Sequence, residues 1–168
     1  MNKTITIIII VLAVGAGIFF LTRTSSTPQQ PVPKSITSTE SSPSAKQTGE
    51  VLAGKTSPLY NFTKAKYDEA IKSDKLVVLY FYADWCPICK AEVPKLYAAF
   101  DELTTDKVVG MRVNYNDSDT DSDEENLARE YGVAYQHTKV FIKNGQRILK
   151  SPESWEKQRY LDEIAKAL

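Results

Sequence analysis

Residues 76–90 read LVVLYFYADWCPICK and contain both cysteines of this 168-residue chain. The part from Leu76 to Tyr82 is a continuous apolar run, rich in β-branched and aromatic residues, which is typical of a strand buried on both faces. From Pro87 to Leu103, apolar positions recur at helical spacing. The sequence therefore predicts a buried strand that leads directly into a helix, with Cys86 at the junction.

The position of the two cysteines suggests redox chemistry. Cys86 lies where the predicted helix begins, and the free N–H groups and dipole of a helix N-terminus stabilise a thiolate. Cys89 follows one helical turn later and is within reach of Cys86, so it can resolve a mixed disulfide formed there. Pro87 suits the first turn of the helix.

Two other uses of the cysteines fit less well. A purely structural disulfide would close a very short loop, and such a bridge constrains the unfolded chain little. A closed zinc site would need two further Cys or His ligands, but His137 is the only histidine.

The segment YFYADWCPICK, Tyr80 to Lys90, resembles the active-site segment of the thioredoxin superfamily. Pro94 stands five residues after Cys89, where thioredoxins kink the active-site helix. The segment YGVAYQHTKVFIKNG, residues 131–145, resembles the thioredoxin segment that runs from the third helix into a hairpin. The resemblance covers residues 59–168 and implies an α/β thioredoxin fold, in which helices flank a central mixed β-sheet.

The resemblance implies a protein disulfide oxidoreductase, with the direction of electron flow left open. Cys86 would be the exposed nucleophile and Cys89 the buried resolving thiol. The substrate groove would be bordered by Trp85, Pro87, Ile88, Gln136, His137 and Thr138. No organic cofactor is implied, because the dithiol itself carries the two electrons. The implied partners are protein thiols or disulfides and a further, unidentified electron-exchange partner.

Tyr80 is one departure from the thioredoxin pattern. Thioredoxins place a buried Asp there, which assists proton transfer to and from the second cysteine. A phenol is a poor base near neutral pH. We therefore expect Tyr80 to be a core aromatic residue. Either a water or another carboxylate then takes over proton transfer, or turnover is slower. Asp84 is close in sequence, but its position after the strand predicts a solvated side chain.

His137 is the second departure, because it stands where the family has a cis-proline. A cis bond before a non-proline residue is costly, so we expect a trans Gln136–His137 bond. The imidazole can hydrogen-bond substrate or stabilise the thiolate as an imidazolium, or it is only a loop residue. It can also complete a Cys86–Cys89–His137 metal site suited to Cu(I), as in a metal carrier. A further alternative is a thioredoxin-like interaction module with weak turnover.

The N-terminus predicts a membrane anchor in residues 1–23. Thr4 to Thr22 carries no charge, and as a helix it would span about 28 Å, close to the hydrocarbon core of a bilayer. A cleaved signal peptide is the alternative. Either alternative places the remaining chain outside the cytoplasm. Residues 24–58, rich in Ser, Thr and Pro, predict a flexible linker, and residues 59–168 predict a monomeric domain.

The remaining elements follow from periodicity and turn signals. Asn144-Gly145 is a strong hairpin signal, and Ser151-Pro152 predicts the start of the last helix. The other predicted helices span residues 61–73 and 123–131, and the other strands span residues 107–114, 139–143 and 146–150. No edge strand is evident near Leu59.

Charge adds two further expectations. The formal net charge is zero, from 21 basic and 21 acidic side chains, which gives no case for nucleic-acid binding. The acidic stretch DSDTDSDEE, residues 117–125, partly matches a calcium-loop template through Asp119, Asp121, Asp123 and Glu130. The glycine required at its sixth position is Glu124, so we expect a solvated loop with acids at a helix N-terminus.

Overall fold

The computed structural model describes residues 49–168. The predicted anchor at residues 4–22 and most of the predicted linker lie outside the described residues. Within residues 49–168, no helix combines the length and apolar character needed to span a bilayer.

Residues 49–168 form one mixed β-sheet with helices on both faces. The strands are β1 (Val51–Ala53), β2 (Leu59–Asn61), β3 (Leu76–Tyr82), β4 (Val108–Asn114), β5 (Thr138–Lys143) and β6 (Gln146–Ser151). The helices are α1 (Lys64–Ile71), α2 (Pro87–Glu102), α3 (Ser122–Glu130) and α4 (Lys157–Ala167).

The sheet order is β1-β2-β4-β3-β5-β6. Strand β4 lies parallel to both β2 and β3. Strand β5 is antiparallel to β3, and β6 is antiparallel to β5. The structure thus confirms the predicted mixed sheet with an antiparallel hairpin at one edge.

The alternation of side chains on β3 divides the core into two layers. Val77, Leu79 and Phe81 pack with the buried residues of α1 and α3. Leu76, Val78 and Tyr80 lie in the other layer, with residues of α2 and α4. Because β3 is covered on both faces, its sequence is continuously apolar, as predicted.

Gly110 on β4 lies directly against the side chain of Phe100 on α2. A Cβ atom there would lie 2.5 Å from ring atoms of Phe100 and 2.5 Å from Leu59. Only a residue without a side chain allows the helix to pack at this distance.

The N-terminal part of the domain differs from the sequence prediction. The predicted linker at residues 24–58 is wrong at its end, because Val51–Ala53 pairs with β2. The predicted helix at residues 61–73 begins too early, because Asn61 belongs to β2 and Thr63 is the N-cap. Three-residue strands are too short to give a periodic signal, which explains both errors.

The last helix also differs from the prediction. It begins at Lys157, because β6 continues through Ser151, which pairs with Lys139. Trp155 is buried ahead of the helix instead of on its apolar face. The predicted end of the first helix at residue 73 is two residues too late, because α1 ends at Ile71. The remaining predicted boundaries agree with the structure to within one residue.

Two predicted local features are present. Asn144 and Gly145 both have positive φ, at 52° and 71°, as a type I′ hairpin turn requires. Asp121 and Glu124 form a reciprocal capping box at the start of α3. Asp121 and Glu124 therefore cap the N-terminus of α3, in line with the expected role of the acidic loop.

Candidate active site

Cys86 lies at the carboxyl end of β3, where the chain turns into α2. It is the N-cap residue of α2, and its Sγ accepts the backbone N–H of Cys89 at 3.3 Å. Both cysteines are free thiols. Cys86 is 5% exposed, whereas Cys89 is 0% exposed. The predicted burial of Cys89 is thus confirmed, whereas Cys86, predicted to be exposed, is also largely buried.

The two thiols differ in their surroundings. Burial raises the pKa of Cys89 to about 11, although hydrogen bonds from the Ala83 backbone and the Tyr80 side chain act in the opposite direction. Cys89 is therefore held as a thiol near neutral pH. Cys86 has the helix N-terminus beside it and contact with solvent, so it is the better placed nucleophile.

An apolar surface surrounds Cys86. Trp85 is 54% exposed, and its indole N–H donates to the Asn116 backbone carbonyl at 2.9 Å. This hydrogen bond joins the loop before α2 to the loop after β4. Pro87 and Ile88 are also exposed in the first turn of α2. Tyr135 is exposed as well, and the sequence analysis did not single it out.

His137 lies beside Cys86, as its place in the sequence suggested. Its Nδ1 is 3.9 Å from Sγ of Cys86, and the Gln136–His137 peptide bond is trans, as predicted. The backbone of His137 has φ of +52°. Burial and the nearby Lys139 charge lower the pKa of His137, while Glu92 raises it. The neutral imidazole is therefore favoured, which argues against the imidazolium role.

The two neighbours of His137 differ in their exposure. Gln136 is half-buried. Thr138 is buried, and its hydroxyl donates to the Tyr135 carbonyl at 2.7 Å. The Thr138 side chain is thus occupied within its own loop.

The three candidate metal ligands are close together. The ligand atoms of Cys86, Cys89 and His137 all lie within 4.8 Å of one another. Two sulfurs and one imidazole nitrogen form a donor set that suits a soft metal such as Cu(I).

A buried ion pair lies beneath Cys89, and the sequence analysis did not predict it. Glu92 on α2 and Lys139 on β5 are both fully buried, with Nζ 2.8 Å from Oε1. The same Oε1 accepts the Trp155 backbone N–H at 2.9 Å and the Tyr160 hydroxyl at 2.6 Å. Lys139 also donates to the backbone carbonyls of His137 and Glu153.

Tyr80 is joined to this ion pair by a hydrogen bond. Its hydroxyl donates to Oε2 of Glu92 at 3.3 Å. Tyr80 is fully buried, in agreement with the expected core aromatic, and burial raises its pKa. Asp84 is exposed, as predicted. Tyr80 is thus bonded to a buried carboxylate that lies three residues after Cys89 on α2.

The sequence contained a signal for this ion pair. Tyr80 and Lys139 are directly paired across β3 and β5, so both side chains point to the α2 layer. Glu92 is three residues after Cys89 and shares its helix face. Charged residues at inward-facing positions of an otherwise apolar strand and helix predict a buried pair.

Comparison with known proteins identifies the family. The thioredoxin family model matches residues 58–168, and the chain belongs to that family. Thioredoxin-T of Drosophila melanogaster is 44% identical over 78 residues, which cover 45% of this chain and 43% of that protein. A thioredoxin of Malassezia sympodialis is 34% identical over 83 residues, covering 49% of this chain and 73% of that protein.

Protein disulfide-isomerases are also similar in part. A putative protein disulfide-isomerase of Schizosaccharomyces pombe is 34% identical over 85 residues, covering 51% of this chain but only 16% of that protein. Several of the curated relatives thus extend well beyond the matched stretch.

Solved thioredoxins share the fold. The Malassezia sympodialis thioredoxin structure has a TM-score of 0.50 and 28% identity, and the match covers 70% of this chain and 90% of that chain. A mutant thioredoxin from Halobacterium salinarum has a TM-score of 0.52 and 26% identity, with coverage of 68% of this chain and 93% of that chain.

Proposed function

We propose that this protein is a thiol–disulfide oxidoreductase that exchanges electrons with protein cysteines outside the cytoplasm. One observation carries the proposal: Cys86 caps the N-terminus of α2 and keeps a small exposed fraction, whereas Cys89 lies fully buried one helical turn further on. Family membership supports the same chemistry, because the matched relatives are thioredoxins and protein disulfide-isomerases.

The reaction proceeds in two exchanges. In the reducing direction, the Cys86 thiolate attacks one sulfur of a substrate disulfide, and the other substrate sulfur leaves as a thiolate. Cys89 then attacks Cys86, which forms the Cys86–Cys89 disulfide and releases the second substrate thiolate. Two electrons pass to the substrate, and the reverse sequence oxidises a substrate dithiol.

The surface around Cys86 fits a protein substrate. Trp85 and Ile88, which flank the Cys86–Pro87 pair in the sequence, are large, exposed and apolar, and such residues bind an unfolded or extended segment through its side chains. The Nδ1 atom of His137 lies 3.9 Å from Sγ of Cys86.

The location is part of the proposal. The uncharged run at residues 4–22 supports a membrane anchor that holds the domain on the extracytoplasmic side. Membrane fractionation of the full chain with alkaline extraction tests this point. Release by alkaline wash, or loss of the first residues from the mature protein, would instead indicate a cleaved signal peptide.

The activity is tested with the full chain and two cysteine variants. Cys86→Ser should abolish disulfide exchange, whereas Cys89→Ser should accumulate mixed disulfides with its substrates. Retained exchange in Cys86→Ser would contradict the mechanism. Equilibration in graded thiol–disulfide buffers then gives the reduction potential. A value near about −270 mV indicates a reductant, and one near about −120 mV an oxidant.

A metal carrier is the second candidate, favoured by the spacing of Cys86, Cys89 and His137. Anaerobic titration of the reduced chain with Cu(I) tests it. Stoichiometric binding that is lost in His137→Ala would support the carrier. Equal binding by wild type and His137→Ala would exclude the three-ligand site.

A further inference from the structure

The turn that carries His137 needs support from the rest of the domain. Residues 132–137 lie between α3 and β5 and belong to neither, and the backbone of His137 has φ of +52°. A left-handed backbone costs free energy for most residues with a side chain and persists only where the surrounding structure holds it. The Gln136–His137 bond is trans, and no proline ring restricts the turn. The restraint must therefore come from contacts with the packed residues around the turn.

A buried ammonium holds the backbone of His137. Nζ of Lys139 donates to the His137 carbonyl at 2.8 Å, and the Lys139 side chain is 0% exposed. Because the ammonium lies away from bulk water, solvent competes little for this hydrogen bond. The side chain of a residue on β5 thus reaches back and ties the turn to the core.

The ammonium has no freedom to turn away from this carbonyl. Nζ also donates to Oε1 of Glu92 at 2.8 Å and to the backbone carbonyl of Glu153. An ammonium has three N–H groups, so these acceptors use all of them. The ring of Trp155, whose centroid lies 5.0 Å from Nζ, covers a further side. The position of Nζ is therefore fixed by three separate parts of the chain.

Glu92 connects the ammonium to the helix of the cysteines. It lies on α2, whose N-terminus is capped by the nucleophilic thiol. Its Oε1 also accepts the Trp155 backbone N–H at 2.9 Å and the Tyr160 hydroxyl at 2.6 Å, so the carboxylate is held as firmly as the ammonium. Hydrogen bonds thus lead without a break from α2, through Glu92 and Lys139, to the backbone of His137.

We propose that Lys139 is a positioning residue for the thiol–disulfide exchange described above, and the inference rests on that proposed function. Held by Glu92, the ammonium fixes the carbonyl of His137 and so keeps Nδ1 of the imidazole 3.9 Å from Sγ of Cys86. Lys139 acts through His137 and takes no part in the bonds that form and break. The ion pair sets the spacing between the thiol at the start of α2 and the histidine before β5.

Three variants of the full chain, reduced and metal-stripped, test the proposal. Lys139→Met/Glu92→Gln removes the ammonium without leaving a buried carboxylate unpaired, which avoids the loss of stability expected for Lys139→Met alone. Tyr160→Phe is the matched control, because it removes a hydrogen bond from the same carboxylate oxygen and leaves the bond to His137 in place. His137→Asn removes the imidazole. Urea unfolding shows that each chain is folded before it is compared.

The first measurement is a distance in solution. His137 is the only histidine of the chain, so its ring gives one set of NMR signals when no histidine tag is present. We expect a nuclear Overhauser effect between this ring and the β-protons of Cys86 in wild type and in Tyr160→Phe, and its loss in Lys139→Met/Glu92→Gln. An undiminished effect in the double variant would overturn the proposal, because His137 would then keep its place without the ammonium.

The second measurement is the rate of Cys86 alkylation by iodoacetamide at pH 7, with the label assigned by mass spectrometry. Lys139→Met/Glu92→Gln is compared with its parent chain twice, once with histidine and once with asparagine at position 137. We expect the double variant to slow alkylation severalfold in the first comparison and to have no further effect in the second, because residues that act through one another are not additive. A general loosening of the domain would instead change both rates by the same factor.

Equal factors in the two comparisons, or equal rates for wild type and His137→Asn, would overturn the positioning role of Lys139. Neither measurement requires disulfide exchange, so the two proposals fail separately. A wild-type chain that does not exchange disulfides would remove the proposed function and the catalytic role of Lys139 with it. Exchange by wild type, together with an unchanged Cys86 in the double variant, would overturn the positioning role alone.

Discussion

Nδ1 of His137 lies 3.9 Å from Sγ of Cys86, and the backbone that places it there has φ of +52°. A left-handed backbone costs little for Asn but about 1–2 kcal/mol for most other side chains. His137 thus makes a polar contact with the reactive sulfur, and its backbone conformation restricts which residues can occupy this position.

The first prediction concerns this contact. His137→Asn keeps a residue that tolerates positive φ but removes the imidazole, whose neutral form can accept the Cys86 proton. Cys86 should therefore react severalfold more slowly with iodoacetamide at pH 7. The measurement is the alkylation rate of the reduced, metal-stripped chain. Gln136→Ala is the control, because it changes the neighbouring residue without removing the imidazole. Equal rates for wild type and His137→Asn would show that the imidazole does not assist Cys86.

The second prediction concerns the pH dependence of Cys89. Burial raises its pKa to about 11, and folding therefore favours the uncharged thiol. In Cys86→Ser, alkylation of Cys89 should be negligible at pH 8 and should increase as the pH approaches 11. Mass spectrometry after timed quenching gives the rate. Rapid labelling of Cys89 at pH 8 in the folded state would contradict this prediction. As a control, addition of denaturant should restore the ordinary reactivity of the thiol.

The third prediction concerns the buried ion pair. Lys139→Met leaves the Glu92 carboxylate buried without its cation and should lower the free energy of unfolding by about 3–5 kcal/mol. The double variant Lys139→Met/Glu92→Gln removes both charges and should recover much of that loss. Urea unfolding measures all three chains. A double variant that is no more stable than Lys139→Met would show that charge pairing is not the cause.

The fourth prediction concerns β1. A chain that starts at residue 58 lacks β1, whose Leu52 and Ala53 pack against the core layer of α2. It should be less stable than a chain that starts at residue 49, by about 2 kcal/mol or more from lost apolar burial. Comparison of their urea midpoints tests this. Equal midpoints would mean that β1 contributes nothing to the stability of the domain.

The sequence predicted the elements that carry strong local signals. The apolar run of β3 and the Asn144-Gly145 turn are specified by residues within a few positions of each other. The strands β1 and β2 have no such local signal, because each is three residues long and is stabilised by pairing with a distant or short strand. The start of α4 was misplaced for the same reason, since the pairing of β6 with β5 overrides a favourable Ser-Pro helix start.

The active site shows the same division. Cys86 and Cys89 are close in sequence, and their chemistry could be inferred from the helix start. Glu92 and Lys139 are 47 residues apart, and they meet only because β5 pairs beside β3 under α2. Their interaction depends on the register of the sheet, which the sequence pattern alone did not determine.

The direction of β1 has a consequence for how the protein meets other molecules. Strand β1 runs antiparallel to β2, with Val51 opposite Tyr60, while β2, β4 and β3 run parallel. Val51 therefore lies level with Leu79 of β3, and β1 runs away from the end of the sheet that carries Cys86. The edge strand thus extends the sheet without reaching the level of Cys86, so a protein that docks on this thiol does not need to displace it.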